Sequence, residues 1–189
     1  FGFFPGDSRF PVGIHYDYTV DTLVGALWGE ADWAVSDKLT VLLGLRGEAH
    51  AYDYTTEAPV GINGRFNVPA DRTDNFDFVT PKLGVVYEAS DAISLYANYA
   101  RGSRAPQASD LYRLQSQQGI AEAEVETLDS FEIGARGALA NGDLVFDIAA
   151  YTADKDNFFF RDSDGLNVTD GSTRHQGIEI AALWQISDE

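Results

Sequence analysis

The chain has 189 residues, of which 44% are hydrophobic, and it carries a formal net charge of -17. No apolar run approaches the roughly 20 residues that a membrane-spanning helix needs, so helical membrane spans are excluded. The acidic balance argues against nucleic acid as a partner, because a phosphate-binding surface requires clustered Lys and Arg. The acidity belongs either to exposed loops and a polar interior or to a surface that only confers solubility. The absence of Cys excludes disulfides and thiolate metal sites.

Alternation of apolar and polar side chains is the main pattern along the chain. In Lys38–Ala49 the odd positions are apolar, whereas the even positions are mostly polar and Leu42 is the exception. Successive side chains of a strand point to opposite faces, so this segment has one apolar and one polar face. The same pattern predicts seven strands, at residues 20–34, 38–52, 76–89, 92–102, 126–139, 143–156 and 173–187.

The links between the predicted strands alternate between short and long. The short ones are Val35–Asp37, Ala89–Asp91 and Ala140–Gly142. The long ones are Asp53–Asn75, Gly102–Val125 and Asn157–Ser172. Strict alternation places the two kinds of link at opposite ends of the sheet. This asymmetry is typical of outer-membrane β-barrels, which have short periplasmic turns and longer extracellular loops.

A soluble β-sandwich is the competing fold, since alternating strands also build sandwiches and jelly rolls. In that hypothesis the protein is a carbohydrate-binding module that uses surface aromatic residues. Sandwich strands usually run about five or six residues, whereas several segments here keep the alternation for about ten, close to the length of a tilted transmembrane strand. Strand length therefore favours an all-β, antiparallel transmembrane barrel.

Three motifs resemble the barrel domain of TonB-dependent outer-membrane receptors. The first is LYANYARGSRAPQASDLYR at Leu95–Arg113, with an aromatic strand end, a Gly and Arg link, an Ala-Pro pair and then Leu-Tyr. The second is ETLDSFEIGARG at Glu126–Gly137, and the third is RHQGIEIAALW, which begins at Arg174. All three lie on the predicted strands or directly after one, in the order typical of that family.

The resemblance implies a 22-stranded barrel in the outer membrane of a Gram-negative bacterium, filled by an N-terminal plug. It implies import of a scarce nutrient such as siderophore-bound iron or cobalamin, driven by the TonB–ExbB–ExbD energy-transducing system through the plug. The expected partners are therefore this system, outer-membrane lipid and a small-molecule ligand such as a metal chelate. Residues 1–189 are expected to be part of the barrel domain only, because no segment resembles the plug.

Four residues near the outer rim are the candidate ligand contacts: Arg101, Arg104, Tyr112 and Arg113. Arginine at this position can meet an anionic ligand. A structural role at the strand end is the alternative for Arg101 and Arg104.

Nothing in the sequence predicts catalysis, a cofactor or a metal site. There is no Cys nucleophile, no Ser lies in a nucleophile-elbow pattern, and the three His residues are scattered at His15, His50 and His175. One segment resembles part of a calcium loop through Asp162, Asp164, Gly165 and Asp170. It lacks the bidentate Glu of such a loop, so a solvated loop tip is the preferred interpretation.

Overall fold

The computed structural model describes residues 13–118, 123–161, 163 and 167–186. In chain order the elements are β1 (Tyr18–Ser36), β2 (Leu39–Thr56), β3 (Gly61–Asn63), β4 (Phe66–Val68), β5 (Arg72–Ser90), β6 (Ile93–Arg104), α1 (Ala108–Tyr112), β7 (Leu114–Gln115), β8 (Glu126–Leu139), β9 (Leu144–Arg161) and β10 (Asn167–Trp184). The seven long strands form one antiparallel sheet in the order β1-β2-β5-β6-β8-β9-β10, and β3, β4 and β7 form a small second sheet. The predicted series of seven up-and-down strands is confirmed.

The alternation in the sequence divides the large sheet into two faces. One, the apolar face, presents uncovered Leu, Ile and Val side chains, such as Leu27, which is 82% exposed, and Ile178, which is 73% exposed. The other, the polar face, carries charged pairs such as Arg46 with Glu48, whose Nε and Oε1 atoms are 2.6 Å apart. The Cα register of neighbouring strands keeps the rows aligned, so both faces are continuous across the sheet.

A single sheet with one uncovered apolar face is the arrangement of a transmembrane barrel wall. In a sandwich, the apolar rows would instead pack against a second sheet about 10 Å away. No such sheet covers the apolar face within the described ranges, and the soluble sandwich hypothesis is not supported. No helix among the described residues is long and apolar enough to cross a membrane.

The short turns lie at one end of the sheet and the long links at the other, which we call the loop end. At the turn end, Ala140 and Asn141 adopt positive φ angles of 53° and 58° in a 3-10 turn that joins β8 to β9. Asn tolerates this left-handed backbone better than most residues do. β10 ends at Trp184, and residue 187, the predicted end of that strand, lies outside the described residues.

Strands are longer than predicted at the loop end. β2 continues to Thr56 instead of ending at residue 52, and β5 begins at Arg72 instead of residue 76. The predicted long link Asn157–Ser172 is wrong, because β9 continues to Arg161 and β10 already begins at Asn167. Aromatic and β-branched residues favour extended backbone beyond the point where the strict alternation ends, so the alternation underestimated strand length.

One interruption divides the sheet at the loop end. β5 pairs with β2 from Arg72 to Tyr87, but with β6 only from Lys82 to Ser90. Pro81 lies at the point where pairing with β6 stops, and Pro has no N–H to donate to a ladder. Because pairing with β2 continues through Pro81, the missing donor lies on the side of β6. The loop ends of β5 and β6 are therefore not paired to each other.

Candidate ligand-binding site

Aromatic side chains gather on the polar face at the loop end of the first three long strands. Tyr52 and Tyr54 alternate along β2, so both rings lie on this face, and both are buried. Tyr18 lies beside them on β1, with its ring centroid 5.3 Å from that of Tyr54. Phe76 and Phe78 pack against the same cluster from β5. The five rings make an apolar surface on an otherwise polar face.

The chain that follows β6 folds back onto this aromatic surface. Ala105, Leu111 and Tyr112 are all buried in the cluster. The ring of Tyr112 stacks on Tyr54 with centroids 4.3 Å apart and planes inclined by 26°. Helix α1 makes this contact possible, and the carboxylate of Asp110 accepts a hydrogen bond from the backbone N–H of Gln107 at its start.

The hydroxyl of Tyr112 anchors the helix to the wall. It donates a hydrogen bond of 2.8 Å to Oδ2 of Asp74 on β5, and the same carboxylate accepts two bonds from the guanidinium of Arg72. Burial of the phenol, together with its bond to the carboxylate, raises the pKa of Tyr112 far above its ordinary value. Tyr112 therefore remains a neutral donor at physiological pH.

Two long loops and the segment before β1 are joined to one another above this cluster. β4 pairs with β7, and the backbone N–H of Ser116 donates to the carbonyl of Arg65 at 2.9 Å. Asn67 Nδ2 donates to the carbonyl of Gln118 at 2.6 Å. Tyr16 Oη donates to the carbonyl of Leu114 at 2.6 Å. We call residues 13–17, 57–71 and 105–118 the loop layer.

Arg113 is an exposed cation in the loop layer. Its Nε donates a hydrogen bond of 3.2 Å to the hydroxyl of Tyr18. In the described part of the chain no carboxylate oxygen forms a salt bridge with it, although the protein has 30 acidic residues against 13 basic ones. Burial raises the pKa of Tyr16, and the charge of Arg113 acts on it in the opposite direction. Aromatic rings and an exposed guanidinium thus lie side by side.

The other predicted contacts are distributed over both faces. Arg104 lies on the polar face, where its Nη2 atom is 2.8 Å from Oε2 of Glu126, and Lys155 Nζ is 3.0 Å from the other oxygen of that carboxylate. Arg101 lies on the apolar face and makes a two-point contact with Asp129, at 2.8 and 2.6 Å. The structure therefore brings Arg104, Tyr112 and Arg113 to one side of the wall and places Arg101 on the other.

Sequence reasoning missed most of this cluster. Tyr54 and Asp74 fall within the predicted long link Asp53–Asn75, although each belongs to a strand that faces the loop layer. The alternating aromatics in AYDYTT and NFDFVT were a usable signal for longer strands, because every second ring falls on one face. Contacts between the loops had no comparable signal in the sequence.

No group of His, Cys, Asp or Glu in the portion that the structure describes could hold a metal ion. Of the calcium-loop candidates, Asp170 lies in β10, whereas Asp162, Asp164 and Gly165 are outside the described residues. At the loop end, the polar face and the loop layer thus bring together aromatic rings and arginine.

The family model described as "TonB dependent receptor-like, beta-barrel" matches residues 2–188. The chain belongs to the TonB-dependent receptor family. Its apolar face is accordingly the outward face of an outer-membrane barrel wall, which we call the lipid side, its polar face is the barrel interior, and its loop end is the extracellular end. The resemblance carried by the three sequence motifs is confirmed.

Several known receptors are similar to this TonB-dependent receptor chain. The ferric-pyoverdine 358 receptor of Pseudomonas putida is 26% identical over 155 residues, which are 81% of this chain and 17% of that protein. The metal-pseudopaline receptor CntO of Pseudomonas aeruginosa is 27% identical over 156 residues, 82% of this chain and 21% of the relative. The chain thus spans about a fifth of the length of these relatives.

Solved structures show the same fold. The copper transporter OprC superposes with a TM-score of 0.70 at 16% identity, covering 89% of this chain and 26% of that one. The ferric-catecholate import receptor Fiu from E. coli K12 gives a TM-score of 0.65 at 18% identity, covering 92% and 27%. These matches establish the barrel fold of the seven strands.

Proposed function

We propose that the chain forms part of the wall of an outer-membrane transporter that binds a small-molecule metal chelate at its extracellular mouth and imports it. The observation that carries this proposal is the loop layer, which holds the exposed guanidinium of Arg113 beside aromatic rings on the interior side of the wall. The proposal assigns transport and no catalytic step to this chain.

The chemistry of the surface supports an anionic or partly aromatic ligand. A guanidinium donates several hydrogen bonds in a fixed plane, and it attracts carboxylates, hydroxamates and catecholates through charge as well as geometry. Of the rings beside it, Tyr16 and Tyr18 are only half-buried and leave aromatic surface for contact, whereas Tyr52 and Tyr54 are buried and support the loop layer. Two relatives are described as receptors for ferric pyoverdine and for metal–pseudopaline complexes, and both ligands are metal chelates of the class proposed here.

Arg104 contributes a second positive charge to this side of the mouth. Glu126 lies between Arg104 and Lys155, so two cations share one carboxylate. Tyr112 is a buried residue of the loop layer, and we propose that it supports the binding surface. Arg101 is held by Asp129 on the lipid side, which favours the strand-end role for this residue.

The proposed transport also requires an energy source and a membrane environment. We propose that import depends on the TonB–ExbB–ExbD system acting on another part of the parent protein, and that the apolar face contacts outer-membrane lipid. Deleting TonB should abolish uptake of the bound chelate and leave its binding to cells intact. Uptake that continues without TonB would contradict the active-transport proposal.

The binding proposal is tested on the full-length receptor with ferric pyoverdine and metal–pseudopaline as probes. Arg113→Ala should raise the Kd of the bound chelate roughly ten- to a hundredfold, because bonds to charged groups contribute about 1.5–3 kcal/mol. Arg101→Ala is the matched control, since it removes the same side chain from the lipid side of the same region. Equal losses in both variants, or no binding of either chelate, would contradict the proposal.

A further inference from the structure

The interruption at Pro81 divides the extracellular end of the wall into two groups of strands. On one side are the outer parts of β1, β2 and β5, which remain fully paired to one another. On the other side are β6, β8, β9 and β10, which are also paired outward from the level of Pro81. Between Arg72–Thr80 and Arg101–Arg104 no ladder pairs are formed. We call this gap the slot.

The loop layer is fastened to one side of the slot. Tyr112 stacks on Tyr54 of β2 and donates to Asp74 of β5. Arg113 donates to Tyr18 of β1, and the backbone N–H of Glu57 donates to the carbonyl of Asp17 at 2.9 Å, just before that strand begins. All of these anchors belong to the β1-β2-β5 side.

The opposite side of the slot has its own anchor. Asn157 on β9 donates from Nδ2 to Oε2 of Glu124 and to the carbonyl of Val125, at 3.0 and 3.3 Å. These hydrogen bonds tie the residues just before β8 to the β6–β10 side, and Ala123 in the same segment packs against the aromatic cluster across the slot. The chain crosses from one side to the other at Arg104–Ala105, directly after β6 ends.

We propose that the loop layer and the outer ends of β1, β2 and β5 move as one body against the β6–β10 side. The hinge lies where pairing of β5 with β6 begins, at Lys82 and Ala100. Antiparallel pairing below the hinge holds the wall together within the membrane, whereas the unpaired edges above it lie outside, where water can satisfy their N–H and C=O groups.

This hinge gives the receptor a means to widen or narrow its mouth in a single step. Loops that are joined by β4–β7 pairing cannot open one at a time without breaking those bonds. A rotation about the hinge moves both loops together and leaves their contacts intact. The inference rests on the fold and its pairing, and it holds whichever ligand the receptor binds.

Distances between pairs of spin labels test the hinge in the full-length, cysteine-free receptor in lipid nanodiscs without ligand. Labels at Asn75 and Asp156 report across the slot, and both positions are exposed. Labels at Tyr87 and Ile148 measure the distance between the same two strands, β5 and β9, below the hinge. The distance distribution across the slot should be at least about twice as wide as the distribution below it. Equal widths would overturn the proposal.

A third label pair separates motion of the whole body from local mobility of the strand ends. Labels at Asp21 and Asn75 both lie above the hinge and on the same side of the slot, so their distribution should stay as narrow as the one below the hinge. A distribution as wide as that of the cross-slot pair would overturn the proposal, because it would show independent strand ends. The comparison of these three label pairs requires no substitution at the hinge.

Replacing Pro81 tests the cause of the slot. Pro81→Val restores the N–H that β6 can accept, and Val favours extended backbone. In this variant the distribution of the Asn75–Asp156 pair should narrow to the width measured below the hinge. A variant that assembles normally and keeps the wild-type width would overturn the role of Pro81.

Discussion

Replacing Tyr112 by Phe removes the hydroxyl that ties α1 to the wall and leaves the stacking on Tyr54 in place. The lost bond is 2.8 Å long and ends on the Asp74 carboxylate, which stays paired with Arg72. Bonds to charged groups contribute about 1.5–3 kcal/mol, and because Asp74 keeps a partner, we expect about 1.5 kcal/mol. A loss of this size raises the population of the undocked loop roughly tenfold.

Amide hydrogen exchange of the loop layer in the full-length receptor measures this change. When closing is fast, exchange follows the open population, so the amides of residues 111–115 should exchange about tenfold faster in Tyr112→Phe. Tyr99→Phe is the control, because the Tyr99 hydroxyl also donates to a carboxylate, that of Asp129 at 2.7 Å, but on the lipid side. Unchanged exchange in Tyr112→Phe, or equal acceleration in both variants, would refute the reasoning.

The same contact gives a pH dependence with a defined sign. The folded protein raises the pKa of Tyr112 above its ordinary value, so the contribution of its hydroxyl is complete below the ordinary tyrosine pKa of about 10. It is lost as the pH rises through the raised pKa. The difference in exchange between the wild type and Tyr112→Phe should therefore be constant at neutral pH and shrink above pH about 10. A difference that already shrinks near pH 7 would contradict the assignment.

Two further predictions test the wall itself. Leu27→Arg should destabilise the assembled receptor by about 2–4 kcal/mol, the cost of arginine near the bilayer midplane, whereas Ala26→Arg, one residue away on the interior face, should assemble normally; a heat-modifiability assay of membrane fractions distinguishes them. Gly134→Ala should destabilise by about 1–3 kcal/mol through overpacking, because an added Cβ would lie 2.7 Å from the carbonyl oxygen of Ile148. Gly25→Ala, where the Cβ meets nothing within 4 Å, should have little effect on the denaturation midpoint, and equal midpoints for both glycine variants would contradict the packing argument.

Positions in the middle of each strand were predictable from the sequence, because the alternation is a local property of the chain. Leu43 and Leu45 lie on the lipid side as the odd row of β2 required, and the turn at Ala140–Gly142 follows from its Asn and Gly. Strand ends were less predictable. Tyr54 lies beyond the predicted end of that strand at residue 52. Its alternation with Tyr52 indicates a longer strand, but its place in β2 also depends on pairing with β1 and β5, which no short window of sequence contains.

The residues of the candidate site were also predictable only in part from the local sequence. The sequence motif that spans the end of β6 and the following loop singled out Arg104, Tyr112 and Arg113, all of which lie on the interior side. It also included Arg101, whose odd position on β6 places it on the lipid side beside Asp129. The alternation could have separated Arg101 from Arg104, since residues three apart on a strand face opposite sides.

The sequence by itself determined the two faces, the number of crossings and the family, because side-chain direction in a strand repeats every two residues. Only the tertiary structure decided that the loops join one another and fold onto the interior wall. The bond from Tyr16 to Leu114 spans 98 positions in the chain, and loops have no periodicity from which such a contact could be read. The slot also depends on the tertiary structure. The sequence does not show whether the N–H that Pro81 lacks would face β2 or β6, and only the strand pairing on both sides of Pro81 decides this.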